Sequence, residues 1–304
     1  MGPLIGLVLL CLALSLTTDT FLTVRNILNV LDQITVLGIM AIGMTLVILI
    51  GGIDLSVGSV VCFSMVVSGA LFLMGLDPWT ASLIGIGASA LIGAAMGFFV
   101  TVIGLNHFIT SLAAMVIVRG LCLVITKGTP LSLFSLPPGF KAIGQGSFGN
   151  VPYVIVIFVV VVAIFDFLLR RATAFRKVFY TGSNEKAAQF SGIKTKQVKF
   201  WVTVLCSTLA GFAGVIYMSR FGAATPTFGA GMELNIIAAA VIGGASLNGG
   251  SGTIFGAILG MALLSVVTSS LILLDVSVYW QDMIKGCILL AAVSIDHFLH
   301  RRKS

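Results

Sequence analysis

The chain has 304 residues, of which 58% are hydrophobic and 9% charged, with a mean hydropathy of +1.15 and a formal net charge of +7. Water-soluble domains carry about 25% charged residues, and a soluble fold of this length has too little interior to hide so many apolar side chains. Soluble enzymes and nucleic-acid-binding domains are thereby excluded, and the bilayer is the remaining solvent.

Apolar runs of about 20 residues mark membrane helices. They fall near 4–22, 27–50, 56–75, 79–103, 108–126, 152–169, 201–219, 234–247, 253–273 and 278–297. The fold class expected is therefore an all-α integral membrane protein, a single domain over 1–304 with about ten spans, the eighth too short to be ordinary. The first run has no basic residue before it, so it is read as a helix and not as a cleaved leader. Glycine, at 35 residues, exceeds the usual ~7% and favours close helix packing. Cys11, Cys62, Cys122, Cys206 and Cys287 stand singly in apolar stretches, as small core residues do. No metal site and no catalytic residue is expected.

The second run ends in VILIGGIDLSVGS, residues 47–59. Gly51, Gly52 and Gly58 with Asp54 and Ser56 predict a helix broken at membrane depth, a feature that survives only when buried in protein or lining a watery cavity. Asp54 and Ser56 suit capping of the next helix. A capped turn with no transport role is the alternative. The fourth run carries small residues at every fourth place, Gly85, Ser89, Gly93 and Gly97, and the ninth has Gly256 and Gly260, both suited to tight crossings.

Arg119 lies in the fifth run and needs a partner inside the bundle, for which Asp54 is the candidate. The following loop, 128–151, is rich in Gly, Pro and Ser. The next, 170–200, holds Arg170, Arg171, Arg176, Lys177, Lys186, Lys194, Lys196 and Lys199; with Arg301, Arg302 and Lys303 these account for most of the 17 basic residues. The positive-inside rule makes that loop and both termini cytoplasmic and loop 128–151 external. Within the basic loop, 183–192 predicts a short helix with Ser183 as N-cap, Glu185 in the first turn and Gly192 as the stop. So short a helix is marginal alone and must dock on a partner, to which Ala187, Ala188 and Phe190 offer a small apolar surface.

Glu233 opens the short run MELNIIAAAVIGG, whose end repeats the first break. IGGIDLSVGS (50–59) and IGGASLNGGS (242–251) share I-G-G-x-x-L-x-x-G-S, so Gly243, Gly244 and Asn248 join the candidate translocation path. Asp282 and Lys285, three apart in the last run, suit mutual neutralisation. No phosphate-binding loop is present: GASLNGGS has Gly250 where the lysine must be. An ion-coupled secondary transporter using Asp54 and Glu233 is an alternative. An intramembrane hydrolase is a further one, disfavoured because none of the three histidines lies mid-span.

GGIDLSVGS, HFITSLAAMVIVRGLCLVITKG, NEKAAQFSGI and MELNIIAAAVIGGASLNGGSGT, in this order and over nearly the whole chain, resemble the permease subunit of ribose-type ABC sugar importers, a family that also serves xylose, arabinose, galactose and the autoinducer-2 signal. The resemblance implies a type II ABC importer-like permease in the bacterial inner membrane. It implies a homodimer, or a heterodimer with a second permease, seated on a sugar-type ATPase that uses ATP and Mg and fed by a periplasmic binding protein. Membrane lipid is a partner and nucleic acid is not, and the chain itself binds no cofactor. Glu185, Ala187, Ala188 and Gly192 match the family's coupling-helix motif, with Lys186 inserted between the glutamate and the alanines. Which sugar is carried stays open.

Overall fold

The computed structural model describes residues 2–18, 20–277, 280, 281, 283, 284, 286, 287 and 290. Its long helices are α1 (Gly2–Thr17), α2 (Val24–Leu49), α3 (Val57–Leu73), α4 (Pro78–Phe98), α5 (His107–Thr126), α7 (Tyr153–Arg171), α10 (Thr195–Phe221) and α12 (Ile254–Leu273). Shorter ones are α6 (Pro138–Gln145), α8 (Thr173–Ser183), α9 (Glu185–Phe190) and α11 (Met232–Ile242). Two small antiparallel pairs, β1 (Leu131–Ser132) with β4 (Ala223–Ala224) and β2 (Ser147–Phe148) with β3 (Val151–Pro152), tie the loops together.

Among the described residues six helices are long and apolar enough to cross a membrane: α2, α4 with its π-helical end Phe99–Ile103, α5, α7, α10 and α12. Nine of the ten expected runs are helices. Of these, α1, α3 and α11 are shorter than an ordinary span. The tenth, 278–297, with Asp282 and Lys285, lies mostly outside the described residues. α1 stops at Thr17, short of 22, where the Thr17 and Thr18 hydroxyls turn back onto the Ala13 and Leu14 carbonyls.

α2 and α10 form the centre and run antiparallel, with Asp32 on Arg220 at one end and Gly43 on Cys206 midway. α4, α5 and α7 leave most of their apolar residues exposed, the normal state of helices solvated by lipid. The small-residue stripe of α4 packs as expected. Gly85 meets Ser64 and Ser68 of α3, Ser89 meets Gly211 of α10, and a Cβ at Gly93 or Gly97 would stand 2.8 Å from Ser207 or Phe200.

The two polar ends of the bundle are built differently. At the C-terminal end of α10, Leu133 N–H donates to Gly222, β1 pairs with β4, and α6 lies on Ser219 and Arg220. At its N-terminal end, α8 and α9 form a helical hairpin. Loops 128–151 and 172–194 therefore stand at opposite ends, as the charge distribution requires.

Candidate functional site

The first break is a helix stop built by glycine. Gly51 has φ +76°, and the N–H groups of Gly51 and Gly52 donate to Ile48 and Val47 at 2.9 Å each, closing the end of α2 with a Schellman motif. Residues 53–56 then run without helical hydrogen bonds, and α5 satisfies them. The His107 Nδ1–H donates to the Ile53 carbonyl at 2.9 Å, and Leu55 N–H donates to Ser111 Oγ at 3.1 Å. His107 Nε2 lies 3.0 Å from Thr203 Oγ1, linking the break to α10. No sequence signal assigns His107 or Ser111 to the break, because the groups they hold there are backbone atoms more than fifty residues away.

Asp54 is fully buried. Its Oδ1 accepts Ser56 N–H at 2.8 Å and Ser56 Oγ–H at 2.6 Å. Oδ2 has no hydrogen-bond partner among the described residues, and the Cys206 thiol lies beside the carboxylate. Two expectations are corrected. Ser56 is the residue before α3 but does not cap it: its backbone is already helical (φ −81°, ψ −14°) instead of extended, and its hydroxyl points to Asp54. Arg119 does not pair with Asp54: its Nη1 donates to the carbonyls of Pro226 (3.2 Å) and Phe228, buttressing the loop between β4 and α11. Peptide carbonyls at a chain reversal can accept from a guanidinium without a second buried charge, and they leave no charge signal in a sequence. Glu233 sits in the first turn of α11 and its Oε1 accepts Gly231 N–H at 3.2 Å in the same loop. Gly58 touches that loop at Gly229, where a side chain on either residue would collide with the other's carbonyl.

The second break repeats the first device with a shift. Gly244, at φ +91°, and Ala245 donate to Val241 and Ala240 at 2.9 Å each. The αL glycine is thus the second of IGG here but the first of IGG at Gly51. Gly243 instead packs on the Gly256 backbone. The echo does not extend further: Gly58 and Ser59 lie inside α3, whereas Gly250 and Ser251 are still in the loop before Thr253 caps α12. Asn248 is exposed, its N–H 3.3 Å from Ser246 Oγ.

The two breaks touch each other and α8. Gly250 N–H donates to the Leu49 carbonyl at 2.9 Å. Gly182, near the end of α8, lies against both: a Cβ there would collide with the Leu49 oxygen and stand 2.7 Å from Gly250 N. A Cβ on Gly249 would stand 2.9 Å from Gly51 N and from Gly182 O. Three chain segments thus meet largely through backbone, with Gly51, Gly182, Gly249 and Gly250 at the closest approaches. Beside the junction, Gly51, Gly52, His107 and Lys199 border a cavity of about 500 Å³.

The α8–α9 hairpin differs from the single helix 183–192. Ser183 is the last residue of α8, and the N-cap of α9 is Asn184, whose Oδ1 accepts Ala187 N–H at 3.0 Å. Gly192 is the stop, at φ +80°, with Gly192 and Ile193 donating to Gln189 and Ala188. Glu185 also accepts Lys199 Nζ at 2.6 Å, fastening α9 to α10. Ala188 is 5% exposed and faces its own chain, so it is not available to a partner. Phe190, at 93%, is. A six-residue helix is too short for periodicity to tell these faces apart.

Residues 26–293 match the family described as branched-chain amino acid transport system / permease component. The ribose import permease of Bacillus subtilis is 39% identical over 304 residues, covering 100% of this chain and 93% of that protein. An L-arabinose ABC transporter permease of Azospirillum brasilense is 35% identical over 306 residues (99% and 88%). A D-allose transport system permease of Escherichia coli is 34% identical over 288 residues (94% and 88%). No solved structure matches.

Proposed function

The chain belongs to the permease family described as branched-chain amino acid transport system / permease component, and on that premise we propose that it is the membrane-spanning subunit of an ABC importer for a monosaccharide. Relatives named for ribose, L-arabinose and D-allose, each matched over nearly the whole chain, support a sugar as the solute. In this reading a separate ATPase uses ATP and Mg, a periplasmic binding protein delivers the solute, and two permease copies enclose the path. Cytoplasmic α8–α9 and an external loop 128–151 follow from the basic residues.

The observation that carries the reading is the α8–α9 hairpin. It presents Phe190, a large apolar side chain in a strongly basic loop, fully to solvent. Its other end is wedged by Gly182 against both broken helices. A partner that grips Phe190 and moves the hairpin moves Gly182, and through it the Leu49–Gly250 hydrogen bond, without any flexible linker between. Glu185 and Lys199 keep α9 and α10 in register while this happens. Small residues are needed at the junction because backbone must slide on backbone; a side chain there would fix one arrangement.

The test is co-purification of the permease with the ATPase encoded beside it, then binding-protein-stimulated ATP hydrolysis and uptake of a panel of labelled pentoses and hexoses in proteoliposomes. Uptake of one of these that requires ATP inside supports the reading. Uptake driven by a proton or sodium gradient without ATP overturns it in favour of secondary transport.

A further inference from the structure

A groove of about 530 Å³ runs between α8 and the start of α10. It is lined by Lys177 and Lys194 and by the apolar Phe175, Trp201, Val202 and Leu205. Both lysines are exposed, and neither ammonium has an anionic partner among the described residues. No Asp or Glu lines the groove. The N-terminus of α10, with no acidic residue in its first turn, adds the positive end of a 27-residue helix to the same place.

Polarity is graded along the groove. Lys194, Trp201 and Leu205 lie on one face of α10, and from the first to the last the helix rises about 16 Å, eleven residues at about 1.5 Å each. Half of a ~30 Å hydrocarbon core is about 15 Å. From its two cations at the level of the headgroups the groove therefore reaches about as deep as one leaflet, with the exposed Trp201 and the apolar Val202 and Leu205 along its deeper part. We propose that it binds one anionic phospholipid of the leaflet at the α8–α9 end, its phosphate between Lys177 and Lys194 and an acyl chain along Trp201, Val202 and Leu205. A soluble acidic peptide would use the lysines but leave the deeper part empty, and a neutral lipid would fill the deeper part but leave the lysines unmatched. Because Lys177 is on α8, the bound lipid would hold the hairpin against α10 and so bear on the junction at Gly182.

The experiment uses the full chain in nanodiscs, with Trp79→Phe and Trp280→Phe so that Trp201 is the fluorophore, and brominated phosphatidylglycerol or brominated phosphatidylcholine as quencher. A lysine near an anionic surface gives roughly a five-fold gain in occupancy, so two give roughly thirty-fold. Half-quenching is expected at roughly thirty-fold less phosphatidylglycerol than phosphatidylcholine, and near parity in Lys177→Gln/Lys194→Gln. The selectivity should persist in Arg171→Gln/Lys196→Gln, which removes as much charge from the same end but none from the groove. Equal quenching by the two lipids, or selectivity that survives loss of both groove lysines, overturns the proposal, as does displacement by inorganic phosphate alone, which would make the site one for a free anion. A photoactivatable phosphatidylglycerol mapped by peptide adducts on the wild-type permease with its ATPase bound gives a second measurement. Adducts on 174–205 support the site, and their absence there overturns it in favour of a protein that covers the groove. Neither readout needs substrate or hydrolysis, so a negative result leaves the transport reading intact.

Discussion

Replacing Gly182 by alanine puts a methyl group into the junction of the two broken helices. The new Cβ would overlap the Leu49 carbonyl oxygen and stand 2.7 Å from Gly250 N, the two atoms that share a 2.9 Å hydrogen bond. Overpacking of backbone on backbone costs about 1–3 kcal/mol, and loss of that hydrogen bond about 0.5–1.5 kcal/mol more. The docked arrangement of α8 should therefore be disfavoured by about 1.5–4.5 kcal/mol, roughly 10- to 1,600-fold in population. Asn184, Glu185 and Phe190 are untouched, so the ATPase should still co-purify with the permease. ATP-dependent uptake in proteoliposomes should fall by at least about 10-fold. Gly87→Ala is the matched control: a Cβ there meets nothing within 4 Å, and in mid-helix alanine is favoured over glycine. Wild-type uptake by Gly182→Ala, with Gly87→Ala also normal, would refute the idea that motion passes through this contact.

Phe190→Ala removes a side chain that touches solvent, so thermal stability should change by less than about 0.5 kcal/mol, while ATPase affinity measured by titration in detergent should drop by at least about 30-fold; an unchanged affinity would place the docking surface elsewhere. Ala188→Asp, in contrast, buries a charge against α9's own chain and should release the hairpin, read as faster proteolysis of 172–194 before any partner is added. Arg119→Gln loses the guanidinium that holds Pro226 and Phe228. It should destabilise the chain by about 2–3 kcal/mol and raise hydrogen exchange across 225–231, whereas Asp54→Asn should leave that loop's exchange unaltered, since the two residues are not paired. A cysteine at Ser147 in a Cys287→Ser background should react with an impermeant maleimide from outside intact cells, and labelling only in inverted vesicles would reverse the proposed orientation.

The apolar runs, the glycine stops and the asymmetry of basic residues were legible in the sequence because each is a local property. A span needs only length and hydropathy, an αL stop needs only a glycine after an apolar helix, and the packing stripe of α4 needs only a period. Gly51, Gly192 and Gly244 take positive φ where the chain must turn, and nothing distant is required to say so. What the tertiary structure decided are the pairings. Arg119 reads as the partner of a carboxylate because only charges are visible in a sequence, yet it donates to two carbonyls more than a hundred residues away. Asn184 took the capping role from Ser183 because α8, an amphipathic helix in a basic stretch, runs on through Ser183 and leaves the next residue to begin α9. Gly182 is one of 35 glycines, and no pattern in the chain marks it. Its importance comes from the Leu49 and Gly250 backbone that folding brings against it, and a close approach between segments far apart in sequence exists only once all three have been packed.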